Sequence, residues 1–519
     1  MRVRTDRSWT EDGPVAVVAT GVADVGALLT FRRAGLRAGA RRRLRIGAGL
    51  VLGLTVAAIV VPALLRAPLD GRRVGDLVAV LPSVYLGFAV LTVVAAISSG
   101  GGRELLPRDQ AVAFPVSALT EHLGALVLAP LNVAWLIQAW ALLGTTTYVL
   151  GPRHLAAAVV PLLLWIAVAT AFGQLVGWGF EGLRRGPHGA LVTRSIVAVV
   201  AAGGVGLVLG GRTTDLLDRS PTVEVYLAAA AATGGLWWHW LIAVLLLGGL
   251  LVLLALAGGI PARWALKRPQ REELRLESGH REPGPNPRSD LAAMIRLDRA
   301  SIWRAVPLRR GLLVLGLMPG AVALAGELTW DLVTILPGLV ASGGALLFGV
   351  NTWCLDGAGA LWRDSLPVDP KVAFLAKVVV LFEVLLVAGA LTIALAAVRA
   401  GAPSSAELAS VLLATIVVAA QVVATSLRWS VRSPYAVNLR SARATPAPPV
   451  VMAGYSARLA AKTTVVGLIF SGTSLAADWR AAALVAVPLL CWSAYRLVGT
   501  AEAWAHPVVR ARVVATVSG

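Results

Sequence analysis

The block RELLPRDQAVAF (residues 103–114) returns 260 residues later as RDSLPVDPKVAF (363–374). Without a gap, the two copies share Arg, Leu-Pro, Asp and Val-Ala-Phe, and Glu104 is matched by Asp364. A second short repeat, LVLGL, occurs at 50–54 and again at 313–317. Repeats at nearly one offset indicate that the chain consists of two duplicated halves.

The composition is typical of a membrane protein. Hydrophobic residues make up 57% of the chain and charged residues only 14%, whereas a soluble protein carries roughly 25% charged residues. Apolar runs of about 20 residues, the length that crosses a bilayer, recur from end to end. The sequence therefore predicts an all-α polytopic membrane protein.

Hydropathy and turn residues together predict twelve membrane spans, six in each half. Those of the first half lie near 46–66, 77–98, 118–143, 155–179, 195–210 and 232–260. Those of the second half lie near 311–326, 332–353, 374–398, 408–427, 462–476 and 481–500. Because six is an even number, both halves would insert in the same orientation, as parallel pseudo-repeats.

The distribution of basic residues predicts the orientation. With the N-terminus inside, 37 of the 47 basic residues fall in cytoplasmic segments and 8 in the outer loops. Cytoplasmic loops of membrane proteins carry such an excess, so both termini and the central linker are expected in the cytoplasm. The same excess explains the net charge of +19 without a nucleic-acid partner. The expected location is the cell membrane of a bacterium.

Five segments follow from these features. They are a cytoplasmic N-terminal segment with an interfacial helix (1–45), the first half (46–260), a cytoplasmic linker (261–310), the second half (311–500) and a cytoplasmic tail (501–519). Within the first segment, 14–31 is expected to lie on the membrane surface, an extra span being the alternative.

Topology places both copies of the repeated block in the cytoplasmic loop between the second and third spans of their half. Asp369 is a good helix cap and Pro370 is tolerated at the first helical residue; Asp109 can cap in the same way. The Leu-Pro pair of each copy favours an extended turn before the helix. Each half is thus predicted to present a capped helical corner whose charges can dock on another protein. The alternative is a tight loop that simply needs Pro and a cap.

In this arrangement the chain resembles the permease subunits of type-2 ABC exporters, in the long form with two fused six-span halves. The resemblance implies an elbow helix before the first span of each half, within 1–45 and within 261–310. It also implies a short coupling helix between spans two and three that sits in a groove of an ATPase. Pro115 interrupts the segment that follows Val-Ala-Phe in the first copy and has no equivalent at Leu375. The residues implied in coupling are Arg103, Glu104, Leu106, Pro107, Asp109, Arg363, Asp364, Leu366, Pro367, Asp369 and Lys371.

A nucleotide-binding loop requires Gly-x-x-x-x-Gly-Lys-Ser/Thr. Only Lys462 is followed by Ser or Thr, and Ala461 precedes it. We therefore expect a transport subunit that is not itself an enzyme, with ATP and Mg²⁺ bound by two copies of a separate ATPase. The resemblance implies outward transport of an amphipathic molecule, an antibiotic or a lipid-like substrate, in contact with membrane lipids. The two cysteines and six histidines show no metal-ligand spacing.

Polar residues within the spans are the candidates to line a substrate cavity. Glu383 is notable because intramembrane charges are costly and often functional; hydrogen bonding between helices or snorkelling to the interface is the alternative. The full set is Asn132, Gln138, Gln174, Asn351, Glu383 and Gln421.

Two other classes remain open. A proton-coupled transporter of the major facilitator type also has six plus six spans, but its Gly-x-x-x-Asp-Arg/Lys-x-Gly-Arg-Arg loop is missing from SSGGGRELLPRDQ (98–110). A membrane-embedded glycosyl or lipid transferase would need acidic residues in an outer loop. The available ones, which show no recognisable arrangement, are Asp70, Asp76, Asp215, Asp218 and Glu224.

Overall fold

The structure, a computed structural model, describes most of the chain. The described residues are 14–34, 38–65, 71–98, 116–131, 133–212, 219–268, 286–326, 328–347, 349–436, 447 and 449–518. Throughout these ranges, the regular secondary structure is helical, as the sequence predicts. The chain divides into two compact units, 1–279 and 280–519, and the boundary falls inside the segment 261–310 that the sequence assigns to a linker.

The helices of the first unit are numbered α1 to α10 in chain order. They are α1 Pro14–Ala34, α2 Ala38–Leu64, α3 Gly71–Ser98, α4 Ala118–Leu128, α5 Val133–Leu150, α6 Leu155–Arg184, α7 Gly189–Leu209, α8 Thr222–Thr233, α9 Trp237–Ala257 and α10 Gly259–Leu266. Helix α1 packs against α4, where Val25 and Leu128 are buried together.

The helices of the second unit are numbered α11 to α20. They are α11 Asp290–Arg304, α12 Val306–Ala325, α13 Trp330–Val333, α14 Leu336–Leu347, α15 Ala360–Asp364, α16 Pro370–Ala397, α17 Ser405–Arg432, α18 Pro449–Ser474, α19 Arg480–Ala505 and α20 Pro507–Ser518. Two 3₁₀ segments, Gly349–Leu355 and Gly357–Gly359, connect α14 to α15.

Among the described residues, seven helices are long and apolar enough to cross a membrane, and a bent pair, Trp330–Gly344 with Gly349–Leu355, would be an eighth. This is compatible with a polytopic membrane protein, while the count of twelve spans and the parallel repeat stay predictions. The seven are Val78–Ser98, Leu155–Arg184, Trp237–Leu266, Leu308–Ala325, Pro370–Ala397, Ser405–Arg432 and Arg480–Ala505.

Two predicted spans are divided in the structure. The span 332–353 falls on α13, α14 and the 3₁₀ segment Gly349–Leu355. The segment 118–143, expected to be one helix, is two helices, α4 and α5, with a 3₁₀ segment Ala129–Leu131 between them. Pro130 lies in that segment, and proline removes a backbone donor and clashes with the preceding turn. The apolar composition of 118–143 concealed this break.

In the first unit, α3 and α6 cross at close range through small residues. A Cβ atom on Gly173 would lie 2.9 Å from the Thr92 carbonyl carbon, and one on Gly177 would lie 2.9 Å from that of Ala96. The Thr92 hydroxyl donates a hydrogen bond of 3.0 Å to the Ala169 carbonyl oxygen on α6. Small residues four apart on both helices let the two backbones approach, as is common between membrane helices.

In the second unit, α17 is the most enclosed of the candidate spans. Its start is defined by a capping box, in which the Ser404 hydroxyl accepts from the Glu407 N–H and the Glu407 carboxylate accepts from the Ser404 N–H. Helix α12 is joined to α16 by the Thr392 hydroxyl, which donates to the Gly316 carbonyl oxygen at 2.7 Å.

Helix α11 lies in the segment predicted to contain the second elbow helix. The Ser289 hydroxyl caps it by accepting from the Ala292 N–H. One face is buried, at Met294, Asp298 and Ile302, which recur every four residues and therefore lie along one side of a helix. Asp298, the acidic residue on this face, contacts the segment that contains the second copy of the repeated block.

Candidate functional site

The first copy of the repeated block belongs to a segment that the structure does not describe. Residues 99–115 lie outside the described residues, and with them the five predicted coupling residues of the first half. These are Arg103, Glu104, Leu106, Pro107 and Asp109. The site is therefore built from the second copy.

The second copy is a sharp corner between α15 and α16. Asp369 caps α16, its carboxylate accepting from the Lys371 N–H at 2.7 Å, and Pro370 is the first helical residue. Before the cap, 365–369 is not helical and includes Pro367. The predicted cap and turn are confirmed, and α16 continues without a break into its apolar stretch.

Arg363 lies inside the second unit, where its guanidinium donates to two carboxylates. Nη2 is 3.0 Å from Oδ2 of Asp298, and Nη1 is 2.9 Å from Oδ1 of Asp356. The ammonium of Lys377 lies 2.9 Å from Asp298 Oδ1 and 3.1 Å from Asp356 Oδ2. We call these four side chains the ion cluster. Each carboxylate contacts both cations, so the cluster has no net charge.

The ion cluster corrects one expectation. The sequence suggested that Arg363 and Asp364 present surface charges, but Arg363 is only 9% exposed and points inward. Its partner Asp298 is 65 residues away on α11. Arg363 therefore serves to position the corner rather than to offer a charge at the surface.

Attraction between the cations and the carboxylates of the ion cluster favours their charged forms. Burial by itself raises the pKa of Asp298, but the charges of Lys377 and Arg363 outweigh burial and hold that pKa below its ordinary value. Burial lowers the pKa of Arg363, while Asp356 and Asp298 raise it further than burial lowers it. Asp298 and Arg363 thus stay ionised, and breaking a contact between them leaves a buried charge with less of its counter-charge.

We expect the stability that Asp298 contributes to be constant at neutral and mildly acidic pH and to disappear below about pH 4. Its folded-state pKa is lowered, so the contribution is complete above the unfolded pKa and is lost as pH falls through the folded pKa. The measurement is the difference in unfolding free energy between the wild type and Asp298→Asn across this range. A difference that already shrinks between about pH 8 and pH 6 would contradict the assignment.

Aromatic side chains enclose the cluster on one side. The Lys377 ammonium lies 5.0 Å from the centre of the Trp353 ring, a cation–π distance. Trp353 stacks on Trp504 with centroids 3.8 Å apart and planes within 6°. Because Trp504 belongs to α19, the end of that helix is packed against the corner.

The tail predicted at 501–519 is in large part a helix, α20, that lies on the corner. Arg510 Nε is 2.9 Å from Asp364 Oδ1, so this predicted coupling charge is paired within the chain. Val513 and Val517 line a cavity of about 50 Å³ together with Leu366. That volume is enough for a few water molecules at most.

The exposed side of the corner carries both apolar and charged groups. Leu361 is 60% exposed and Trp362 63%; Pro367, Asp369 and Lys371 are exposed as well. We call these five residues the corner face. Leu361 and Trp362 were not predicted from the sequence. One signal was available: the aligned positions of the first copy are both glycine, so large apolar side chains stand there in the second copy alone.

Glu383, the intramembrane acid singled out from the sequence, pairs with α11. Its Oε2 is 2.8 Å from Arg299 Nη2, and the two side chains are 42% and 52% exposed. Adjacent residues of α11, Asp298 and Arg299, therefore hold α16 at two points. This is the interhelical contact that the sequence left open as the alternative to a role in transport.

The other candidates for a substrate cavity are scattered. Asn132 lies outside the described residues; Gln138 is half-buried on α5, and Gln174 is buried on α6. Asn351 is buried and donates to the Tyr435 carbonyl oxygen at 2.7 Å. Gln421 lines a cavity of about 410 Å³ between α17, α18 and α19. Among the described residues, no group of three His, Cys, Asp or Glu side chains could hold a metal ion.

Comparison with known proteins identifies no relative. No protein-family model, no curated protein and no solved structure matches this chain. Its function is therefore inferred from its own residues.

Proposed function

We propose that this chain is the membrane-spanning permease subunit of an ATP-driven ABC exporter. It would carry an amphipathic small molecule, such as an antibiotic or a lipid-like compound, outward across the cell membrane by alternating access. The observation that carries the proposal is the corner of residues 360–370, where an exposed contact surface is joined to an apolar helix through a buried ion cluster.

A segment that couples an ATPase to membrane helices can transmit motion only if it moves as a rigid unit. The corner meets this requirement because Arg363 and Lys377 share the two carboxylates Asp298 and Asp356, which come from different segments. A displacement of α15 is therefore passed to both α11 and α16. Rigid-body motion of such packed elements is the usual way in which domains switch between two states.

The corner face has the composition of a protein contact site. A tryptophan and a leucine, both more than half exposed, lie beside a lysine and an aspartate. Buried aromatic anchors with a polar rim carry most of the binding energy of protein interfaces. By the predicted orientation this face is cytoplasmic, where an ATPase would find it.

The energy source would be a separate protein. These 519 residues contain no nucleotide-binding loop, so ATP and Mg²⁺ would be bound by the partner. The two copies of the repeated block match two ATPase subunits, one for each half. Asp109 in the first copy stands where Asp369 caps α16 in the second.

Two substitutions on the corner face test the proposal. Lys371→Glu and Trp362→Ala are each expected to lower the vanadate-sensitive ATP hydrolysis that co-purifies with the full chain by about tenfold or more. Glutamate in the first turn of α16 is favourable for the helix, so Lys371→Glu should insert and fold normally. The measurement is ATP hydrolysis per purified permease.

Arg480→Glu is the matched control. Arg480 is the first residue of α19, so this change also places an acid in the first turn of an apolar helix, but away from the corner face. Its ATP hydrolysis should equal that of the wild type. Export of an amphipathic dye by the isolated chain, driven by a proton gradient without ATP, would overturn the proposal in favour of a facilitator-type transporter.

A further inference from the structure

A cavity of about 410 Å³ lies between α17, α18 and α19. That volume falls within the range of about 300–1,000 Å³ typical of ligand sites. The cavity is formed entirely within the second unit, by residues in the middle part of each of the three helices. Its lining residues are Gln421, Thr425, Ala461, Lys462, Val465, Val466, Leu489, Trp492 and Arg496.

Two cations reach this cavity from different helices. Lys462 comes from α18 and Arg496 from α19, and a guanidinium nitrogen of Arg496 lies 3.4 Å from the Thr425 hydroxyl. The positive charges of Arg496, Arg428 and Arg458 all act on the Lys462 ammonium. Four cations from three helices are thus held close together.

These cations have no acidic partner in the part of the chain that the structure describes. The ion pairs recorded there involve other residues, and Arg458 instead lies over the Trp429 ring at 5.5 Å. Like charges held together repel one another, and an anion between them would relieve that repulsion. The ion cluster at the corner is the opposite case, because its cations are matched by two carboxylates.

Apart from Gln421 and Thr425, the remaining wall of the cavity is apolar. Val465 and Val466 on α18 face the same space as Leu489 and Trp492 on α19. A small inorganic anion would leave this wall uncovered. A molecule with an anionic head and an apolar chain would satisfy both the cations and the apolar wall.

We infer that this cavity binds an amphipathic anion, with its phosphate or carboxylate head on Lys462 and Arg496 and its chain along Val465, Leu489 and Trp492. Gln421 and Thr425 supply further hydrogen-bonding groups beside the head. The same chemistry could come from an anionic phospholipid of the membrane or from a free organic phosphate. The inference uses only residues of the second unit and does not depend on the exporter proposal.

Hexyl phosphate is a suitable probe, used with the full-length protein in a neutral detergent. We expect it to bind, and Lys462→Gln and Arg496→Gln each to weaken binding by about tenfold or more, the loss of one charge-assisted contact. Arg480→Gln, a change at the other end of α19, should leave the affinity unchanged. Lys462→Arg keeps the charge and should retain most of the binding, which separates loss of charge from loss of folding.

Two further probes test each part of the ligand. Inorganic phosphate, which lacks the chain, and hexyl phosphocholine, which lacks the net charge, should each bind at least about tenfold more weakly than hexyl phosphate. Equal affinity for either probe, or an unchanged affinity in both glutamine variants, would overturn the inference.

Lipid nanodiscs distinguish the two sources. In phosphatidylglycerol nanodiscs, a membrane occupant would compete with hexyl phosphate and would be retained in native mass spectra by the wild type but not by Arg496→Gln. A free anion would give a different result: hexyl phosphate would bind fully in phosphatidylcholine nanodiscs, and phosphatidylglycerol would not reduce that binding. Either result upholds the inference, whereas the absence of hexyl phosphate binding in both membranes, with no retained phosphatidylglycerol, would overturn it.

The two proposals fail separately. Normal binding of hexyl phosphate with no co-purifying ATP hydrolysis would reject the exporter proposal alone.

Discussion

Replacing Asp298 with asparagine is expected to lower the unfolding free energy of the protein by about 3–5 kcal/mol. Asp298 contacts both Arg363 and Lys377 and is 3% exposed. Without its carboxylate, two buried cations share the single carboxylate of Asp356. Their desolvation cost stays the same, while much of the compensating attraction is gone. The measurement is equilibrium unfolding in mixed micelles, with hydrogen exchange to locate the loosened helices.

Two variants show whether the loss comes from buried charge. Glu383→Gln breaks the partly exposed pair with Arg299 between the same two helices, α11 and α16, and should cost less than about 1 kcal/mol. The double variant Asp298→Asn, Lys377→Met leaves one cation with one carboxylate and should recover part of the loss. Equal costs for Asp298→Asn and Glu383→Gln would contradict the assigned role of the ion cluster.

Replacing Gly177 with leucine is expected to separate α3 from α6 and to cost about 3 kcal/mol or more. A Cβ at this position would lie 2.9 Å from both the carbonyl carbon and the Cβ of Ala96. The obstacle includes backbone, which cannot turn aside as a flexible side chain can. The measurement is the unfolding free energy, together with hydrogen exchange in the two helices.

Gly179→Leu is the control, two residues further along α6. A Cβ on Gly179 has nothing within 4 Å, so this variant has the same change in helix propensity without the clash. It should be neutral or stabilising by up to about 1 kcal/mol. If both leucine variants cost the same, close packing through Gly173 and Gly177 would not be what holds these helices together.

Much of the helical architecture could be predicted because its causes are local. Membrane helices satisfy their own backbone hydrogen bonds, so an apolar run of sufficient length is enough to place one; each predicted span overlaps a helix of the structure. The start of α16 was predictable for the same reason, since Asp369 and Pro370 act on adjacent backbone groups. The break at Pro130 was predictable in principle, but hydropathy alone concealed it.

The candidate site was predictable only in part. The repeat pointed to the segment in which the structure exposes Asp369 and Lys371, while their part in coupling stays a prediction. It did not reveal that Arg363 is buried, because its partner Asp298 belongs to a helix that was expected only as a surface element. The cavity between α17, α18 and α19 could not be predicted either, because Lys462 and Arg496 are 34 residues apart and on different helices.

By itself, the sequence determined an all-helical chain, the positions of its apolar helices and the capped start of α16, because each depends on composition or on residues within a turn of one another. Only the tertiary structure decided which charges are neutralised and which are not. In the corner, helix packing brings two carboxylates to two cations and makes a rigid joint. Between α17, α18 and α19 it gathers cations that have no acidic partner among the described residues, and from this arrangement we infer a binding site. That difference arises from contacts between residues far apart in the chain, where attraction and repulsion depend on distance in space.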